Sequence, residues 1–408
     1  MNPDAHTLWQ APRWALSVLL AALAMLGPFS IDTYIPAFTG IAHSLNAGPV
    51  EIQQTLSAYL FGFAFMSLFH GAMSDSWGRR PVVLAGLAVY TLASAGCALS
   101  NDIGTLIACR ALQGLSAGAG IVVSRAVVRD MFAPTEAQRV MSQITLFFGV
   151  APAVAPLMGG LLFVHIGWHA VFWFLTLVGT LLFLGNWRLL PETLHVTHRQ
   201  PFAPAPLLRG YWHLGTSGRF LLLALASGVP FNGMFVYVLC APAFLGQQLG
   251  LQPEQFFVFF CVIISGIMGG AWISGQLAGR VTPRQQIGYG FVIMAAMAVA
   301  QLGATSLWAP RAWWTLPLIG LFSLGWALMT PVVTLLVLDL FPQRRGMAAS
   351  LQAFVASAFN GLVAGVISPW VMHSSWWLAL TSLLMMAVGL AAWALVKPRL
   401  TNPSIMQA

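Results

Sequence analysis

Charge is nearly missing from this chain: only 7% of its 408 residues are Asp, Glu, Lys or Arg. A soluble domain carries about 25%. The shortage excludes a soluble enzyme and a disordered chain, because neither can be kept in water by so few polar groups. Lysine occurs once, as Lys397. The net charge of +8 thus comes without a Lys-rich arm for phosphate contacts, and no nucleic-acid partner is expected. The four cysteines, Cys97, Cys109, Cys240 and Cys261, sit inside apolar segments without CxxC spacing, which excludes a disulfide scaffold and makes them packing residues. P-loop, GxSxG and HExxH patterns are all absent, so neither nucleotide-driven nor hydrolytic chemistry is signalled, and the chain reads as a non-enzyme with no cofactor. His165 and His169 stand four apart but lack a third ligand, so no metal site is expected.

What fills the chain is apolar: 58% of residues are hydrophobic and the mean hydropathy is +0.80. A membrane-spanning helix needs about 20 such residues in a row. Charge-free stretches place single spans near 14–36, 52–72, 82–100, 105–127, 219–244, 254–279, 286–307 and 312–340. Arg13, the apolar run behind it and Ala22-Leu23-Ala24 have the make-up of a signal peptide, but with so many spans following, the run is read as an uncleaved first helix. Val140–Trp187 and Met347–Val396 run more than twice the length of one span without a formal charge. Each must fold back once, near Gly167 and near His373, which brings the count to twelve. The expected fold is an all-α membrane protein with both termini on one side. Sixteen of the eighteen basic residues then fall in loops and helix ends on that side, which the positive-inside rule makes cytoplasmic; Arg311 faces outward and Arg110 lies within a span. Glu51, Asp102 and Glu254 belong to outer loops.

The longest non-apolar stretch is rich in Pro, His and Arg. It divides the chain into a six-helix half over 1–190, a cytoplasmic linker over 191–218 and a second half over 219–408. Gly71-Ala-Met-Ser-Asp-Ser-Trp-Gly-Arg79-Arg80 and the weaker copy at 275–284, GQLAGRVTPR, lie half the chain apart, and Gly279 stands where the first copy has Asp75. Such a repeat fits two parallel halves with a site at their interface.

Asp32 is the acid well inside a first-half span. Ionised at mid-bilayer it would cost about 2.5–3.5 kcal/mol, so it should face a cavity or a cation. Arg110 lies at matching depth in span four, and the two are expected to pair, either as a proton-exchange site or as a static lock between helices. Asp75 and Arg79, four apart, can pair with each other or with facing groups; Arg79 and Arg80 also serve as plain topological anchors. In span five Pro152 and Pro156 bend the helix, while Gly159 and Gly160 permit close packing. Arg129 with Asp130, and Asp339 with Arg344 and Arg345, are expected to form inter-helix salt links at the inner helix ends. Aromatic content suits a cavity for ring-bearing compounds, with Tyr34, Tyr59, Phe61, Phe231, Asn232, Tyr237 and Gln113 as candidates.

These residues carry a resemblance. Residues 71–81 (GAMSDSWGRRP), 110–120 (RALQGLSAGAG) and 151–160 (APAVAPLMGG) resemble the loop, helix-four and helix-five motifs of the major facilitator superfamily. GPFSIDTYIPAF (27–38) and Val128-Arg129-Asp130 are similar to its Bcr/CflA family of drug:proton antiporters, strongly over residues 14–195 and more weakly at LVLDLFPQRRG (336–346). The resemblance implies a transporter of the bacterial inner membrane that expels amphipathic drugs, such as bicyclomycin-, chloramphenicol- or sulfonamide-like compounds, in exchange for protons. It implies proton coupling by Asp32 and Arg110, an inner gate of Gly71, Asp75, Gly78, Arg79 and Arg80, and a leak seal at Pro152, Pro156, Gly159 and Gly160. The chain departs from the pattern at Ser76, where a basic residue is usual, and at His70, where an aromatic is common. Partners are then small drug-like substrates, protons and the lipid bilayer, and a monomer suffices. A proton-linked transporter of one metabolite, such as an amino acid, and a non-transporting membrane sensor are the rival readings.

Overall fold

The computed structural model describes residues 13–252 and 255–400; Glu254 and the side chain of Pro152 lie outside the described residues. Twelve principal helices follow the charge-free stretches: α1 (Arg13–Tyr34), α2 (Pro49–Trp77), α3 (Arg79–Ala98), α4 (Ile103–Met131), α5 (Pro134–His165), α6 (Trp168–Leu189), α7 (Gly218–Leu239), α8 (Phe256–Leu277), α9 (Pro283–Leu307), α10 (Ala312–Asp339), α11 (Arg345–Leu362) and α12 (Ser375–Val396). Ten of these, all but α5 and α11, are long and apolar enough among the described residues to cross a membrane. Helix α5 runs unbroken through Pro156. Helix α11 continues through a π-helical turn, Val363–Ile367, into the short helix Ser368–Val371.

Helix ends sit where the sequence supplies caps. Pro49 occupies the first turn of α2, and the Gly48 amide donates to Glu51 Oε2 at 2.7 Å. Asp102 caps α4, accepting from the Thr105 amide at 2.8 Å. Those Thr105 hydrogen bonds hold its exposed carboxyl below the usual carboxylate range. Thr282 and Gln285 form a reciprocal capping box at α9. Both fold-backs occur where charge counting puts them: Gly167, at φ +115°, precedes α6, and a turn at 372–373 precedes α12. The expected linker is not structureless, because it contains the helix Pro204–Gly215.

Burial is inverted relative to a soluble protein. Arg79 and Arg110 are among the largest fully buried side chains, whereas Leu92 is 73% exposed and Phe61 75%. An apolar skin over an interior that also buries charged and polar groups is stable when the surroundings are lipid.

The chain forms two compact units. One holds the residues up to Phe132 with Val150–Tyr211 and Gln343–Leu351; the other holds Ala133–Gly149, Trp212–Pro342 and the chain from Gln352 on. The segment that begins α11 therefore belongs to the first unit, and the first turns of α5 belong to the second.

Candidate functional site

In the first unit, glycine-rich α4 lies directly on α2: a Cβ added at Gly114 would collide with the Tyr59 carbonyl. This approach, one turn beyond Arg110, carries the guanidinium between two tyrosine rings. Its Cζ lies 4.5 Å from the Tyr34 centroid and 4.2 Å from that of Tyr59. A cation against aromatic faces is attracted by the ring quadrupole, more strongly away from water. Arg110 Nη1 donates to Gln113 Oε1, and Gln113 Nε2 donates to Ser94 Oγ at 2.7 Å. The Tyr59 hydroxyl donates to the Gly27 carbonyl at 2.9 Å, and Tyr34 shares a hydrogen bond with Thr55. Among the described residues Arg110 Nε and Nη2 have no hydrogen-bond partner although the side chain is fully buried.

Asp32 is placed differently from expectation. It is partly buried in α1 and makes no ion pair with Arg110; the rings and Gln113 surround the arginine instead. Tyr59 lies within electrostatic reach of both charges. Phe61 is not part of this cluster, since it stacks on Phe65 at the exposed surface. Ser30, Tyr90 and Ser94, which hydrogen-bond behind Arg110, escaped the sequence reading. Polar residues one turn apart within apolar α3 were the available signal.

The remaining cavity candidates lie in the second unit. Phe231 packs on Phe235 and on Trp326, whose Nε1 donates to the Ser227 carbonyl at 3.0 Å. Asn232 Nδ2 donates to the Gly228 carbonyl at 3.2 Å; among the described residues its Oδ1 and the buried Tyr237 hydroxyl have no hydrogen-bond partner.

The α2–α3 turn builds a second cluster in the first unit. Gly78 adopts φ +105°, which costs a side chain dearly and a glycine little. Glu192 then caps α3, accepting from the Arg79 amide at 2.9 Å and the Arg80 amide at 3.2 Å. Asp75 Oδ1 accepts from Arg79 Nη1 at 2.5 Å and from the Gly346 amide at 3.1 Å, and Oδ2 accepts from the Met347 amide at 2.9 Å. A carboxylate at the N-terminus of α11 meets free N–H groups and the positive end of the helix dipole. Gly71 touches the Gly346 carbonyl so closely that a Cβ has no room. Arg79 Nε continues to Asp130 Oδ2 at 3.0 Å, and Asp130 Oδ1 accepts from Arg345 Nη1 at 2.8 Å. Asp130 thus pairs with Arg79 and Arg345, Arg129 donates to the Phe132 carbonyl, and Arg344 lines a small cavity beside Asp75. Above this cluster Tyr211 donates to the Leu68 carbonyl, and burial pushes its phenol up, so it remains a donor.

The two helix-five glycines separate. A Cβ at Gly159 would strike the Thr33 carbonyl, next to Asp32, whereas Gly160 faces open space and does no close packing. Gly159→Val is expected to destabilise the protein by about 1–3 kcal/mol, and Gly160→Val to be nearly neutral. Thermal unfolding of the two purified variants measures the difference; equal melting would refute this packing.

Helices of spanning length with an apolar skin and buried ion pairs make a multi-pass membrane protein. The chain belongs to the Major Facilitator Superfamily, whose family model matches residues 20–364. It is 33% identical over 358 residues to the "Uncharacterized MFS-type transporter YdgK" of Bacillus subtilis, covering 87% of this chain and 89% of that protein. It is 29% identical over 366 residues to the "Bicyclomycin resistance protein homolog" of Haemophilus influenzae, again covering 87% and 89%. Among solved structures, the proton:xylose symporter XylE superposes with a TM-score of 0.75 at 12% identity, covering 94% of this chain and 95% of that one, a likeness of fold. The Bcr/CflA resemblance read from the motifs is borne out, and the chain is a transporter rather than an enzyme.

Proposed function

We propose that this transporter exports amphipathic drug-like compounds across the bacterial inner membrane in exchange for protons. The observation that carries the reading is Arg110, a buried guanidinium with two donors unpartnered among the described residues, in the unit that also holds the intramembrane carboxylate Asp32, which makes no ion pair among the described residues. An ionisable group within a span is costly and marks an ion or substrate pathway. In this reading Asp32 carries the proton, and Arg110 offers its free donors to the carboxylate once the proton has left. The Tyr34 and Tyr59 rings give the site apolar walls for a ring-bearing substrate. The name of the Haemophilus relative supports a drug as that substrate.

The halves 1–190 and 219–408, joined by 191–218, would alternate access around a midplane site. The arginine distribution supports a cytoplasmic position for both termini and the Asp75 cluster, and one chain carries both halves, so a monomer suffices. The test uses inverted membrane vesicles with an imposed pH gradient. Proton release is expected on adding several chemically unrelated drugs. Release by a single metabolite and by no drug would replace the reading with a dedicated metabolite transporter.

A further inference from the structure

Several basic side chains at the helix ends of this protein are engaged: Arg79 and Arg345 by carboxylates, Arg80 by the Trp187 carbonyl, Arg284 by that of Lys397. Arg139 and Arg280 are among those that are not, and they are set apart by sharing one cavity. Both are exposed, and neither side chain makes an ion pair or hydrogen bond among the described residues. They meet in one cavity of about 420 Å³ in the second unit, walled by Arg139, Gln143 and Leu146 of α5 and by Trp272, Gln276 and Arg280 of α8 and its following turn.

The cavity is graded from charged to apolar. Arg139, Gln143 and Leu146 follow one face of α5, and Leu146 lies about 10 Å deeper than Arg139 at 1.5 Å rise per residue. On the opposite wall Arg280 follows the end of α8, while Trp272 lies inside that helix and is 60% exposed. Both arginines therefore stand at the bilayer face, with indole and leucine beneath them. An indole at that level sits between headgroups and acyl chains. The walls are held in place: Gln138 Nε2 donates to Gln286 Oε1 at 2.8 Å and to the Ser274 carbonyl at 3.0 Å, and Ser142 Oγ donates to Ser274 Oγ at 3.1 Å. A site held open before binding loses little on ordering.

We propose that this cavity binds the headgroup of an anionic phospholipid. Arg139 and Arg280 engage the phosphate, Gln143 and Gln276 the headgroup hydroxyls, and Trp272 with Leu146 the first methylenes of an acyl chain. Soluble phosphate compounds share the charged part of this chemistry; the apolar floor is what selects a lipid. Basic pockets between transmembrane helices have this ligand preference. Only the leaflet concerned rests on the cytoplasmic assignment above, and the site itself is independent of what is exported. A bound headgroup would staple α5 to α8 at the bilayer face.

Native mass spectrometry of the full chain in mild detergent tests the assignment, with phosphatidylglycerol and phosphatidylethanolamine of equal chain length. Arg139→Gln/Arg280→Gln is compared with a two-charge control, Arg209→Gln/Arg311→Gln. Phosphatidylglycerol retention is expected to fall about tenfold or more in the cavity variant only. Phosphatidylethanolamine should be indifferent, and added glycerol phosphate or inorganic phosphate should not displace the lipid. Equal loss in both double variants would overturn the site in favour of diffuse charge. Displacement by the soluble phosphates would overturn the lipid assignment. A measurement on protein with both arginines intact covers the case in which the variant fails to fold. Phosphatidylglycerol with brominated chains should quench wild-type fluorescence more than the ethanolamine lipid does, and Trp272→Phe should remove that excess; an unchanged excess would overturn the proposal.

Discussion

Replacing Asp32 with Asn is expected to reduce drug-evoked proton release in inverted vesicles to the level of vesicles without the transporter. Asn keeps the size and hydrogen-bonding capacity of the side chain but has no proton to exchange, so a cycle that depends on this carboxylate stops. Asp32 makes no ion pair with Arg110, so the substitution removes an unpaired charge and breaks no lock. Thermal stability should therefore stay the same or rise. The two measurements together separate the readings. Lost exchange with intact stability supports proton coupling. Loss of both returns the static lock between helices, and normal exchange removes Asp32 from the mechanism.

Asp75→Ala should produce the second-largest effect. The buried carboxylate satisfies Arg79 and two backbone amides of α11 at once. Deleting one partner of a buried pair costs about 3–5 kcal/mol because the other charge stays behind. At about 1.4 kcal/mol per decade, the closed arrangement of this cluster would lose a factor of about 10² to 10³ in population. If the cluster gates transport, exchange rates should fall at least about tenfold, and a cysteine introduced at buried Ser350 in a cysteine-free background should react faster with a soluble thiol reagent. Arg345→Gln should act in the same direction but less strongly, since its side chain is 20% exposed against 2% for Asp75. Unchanged transport and unchanged labelling in Asp75→Ala would leave the motif as a topological anchor alone.

Much of the fold was legible because the bilayer imposes a simple rule. Runs without charge must be helices of spanning length, and the two overlong runs had to turn, as they do at Gly167 and at 372–373. The Asp75–Arg79 pair was legible for a similar reason, since residues four apart on a helix are neighbours whatever surrounds them. The partners of that pair were not. Asp130 and Arg345 are 215 residues apart, and nothing local to either predicts their meeting.

Composition and spacing thus determined the medium, the number and ends of the helices and the depth of each charge along its span. The direction in which each side chain points around its helix was decided only by packing. Tyr59 and Phe61 are two residues apart, so about 200° of rotation separates them, and one holds Arg110 while the other faces outward. Gly159 and Gly160 differ by about 100°, and only the first meets a neighbouring backbone. Asp32 and Arg110, expected at matching depth, form no pair; the guanidinium lies against two tyrosine rings instead. Depth follows from counting residues along one chain; azimuth depends on the shape of the neighbouring helix, which no single segment of the sequence contains.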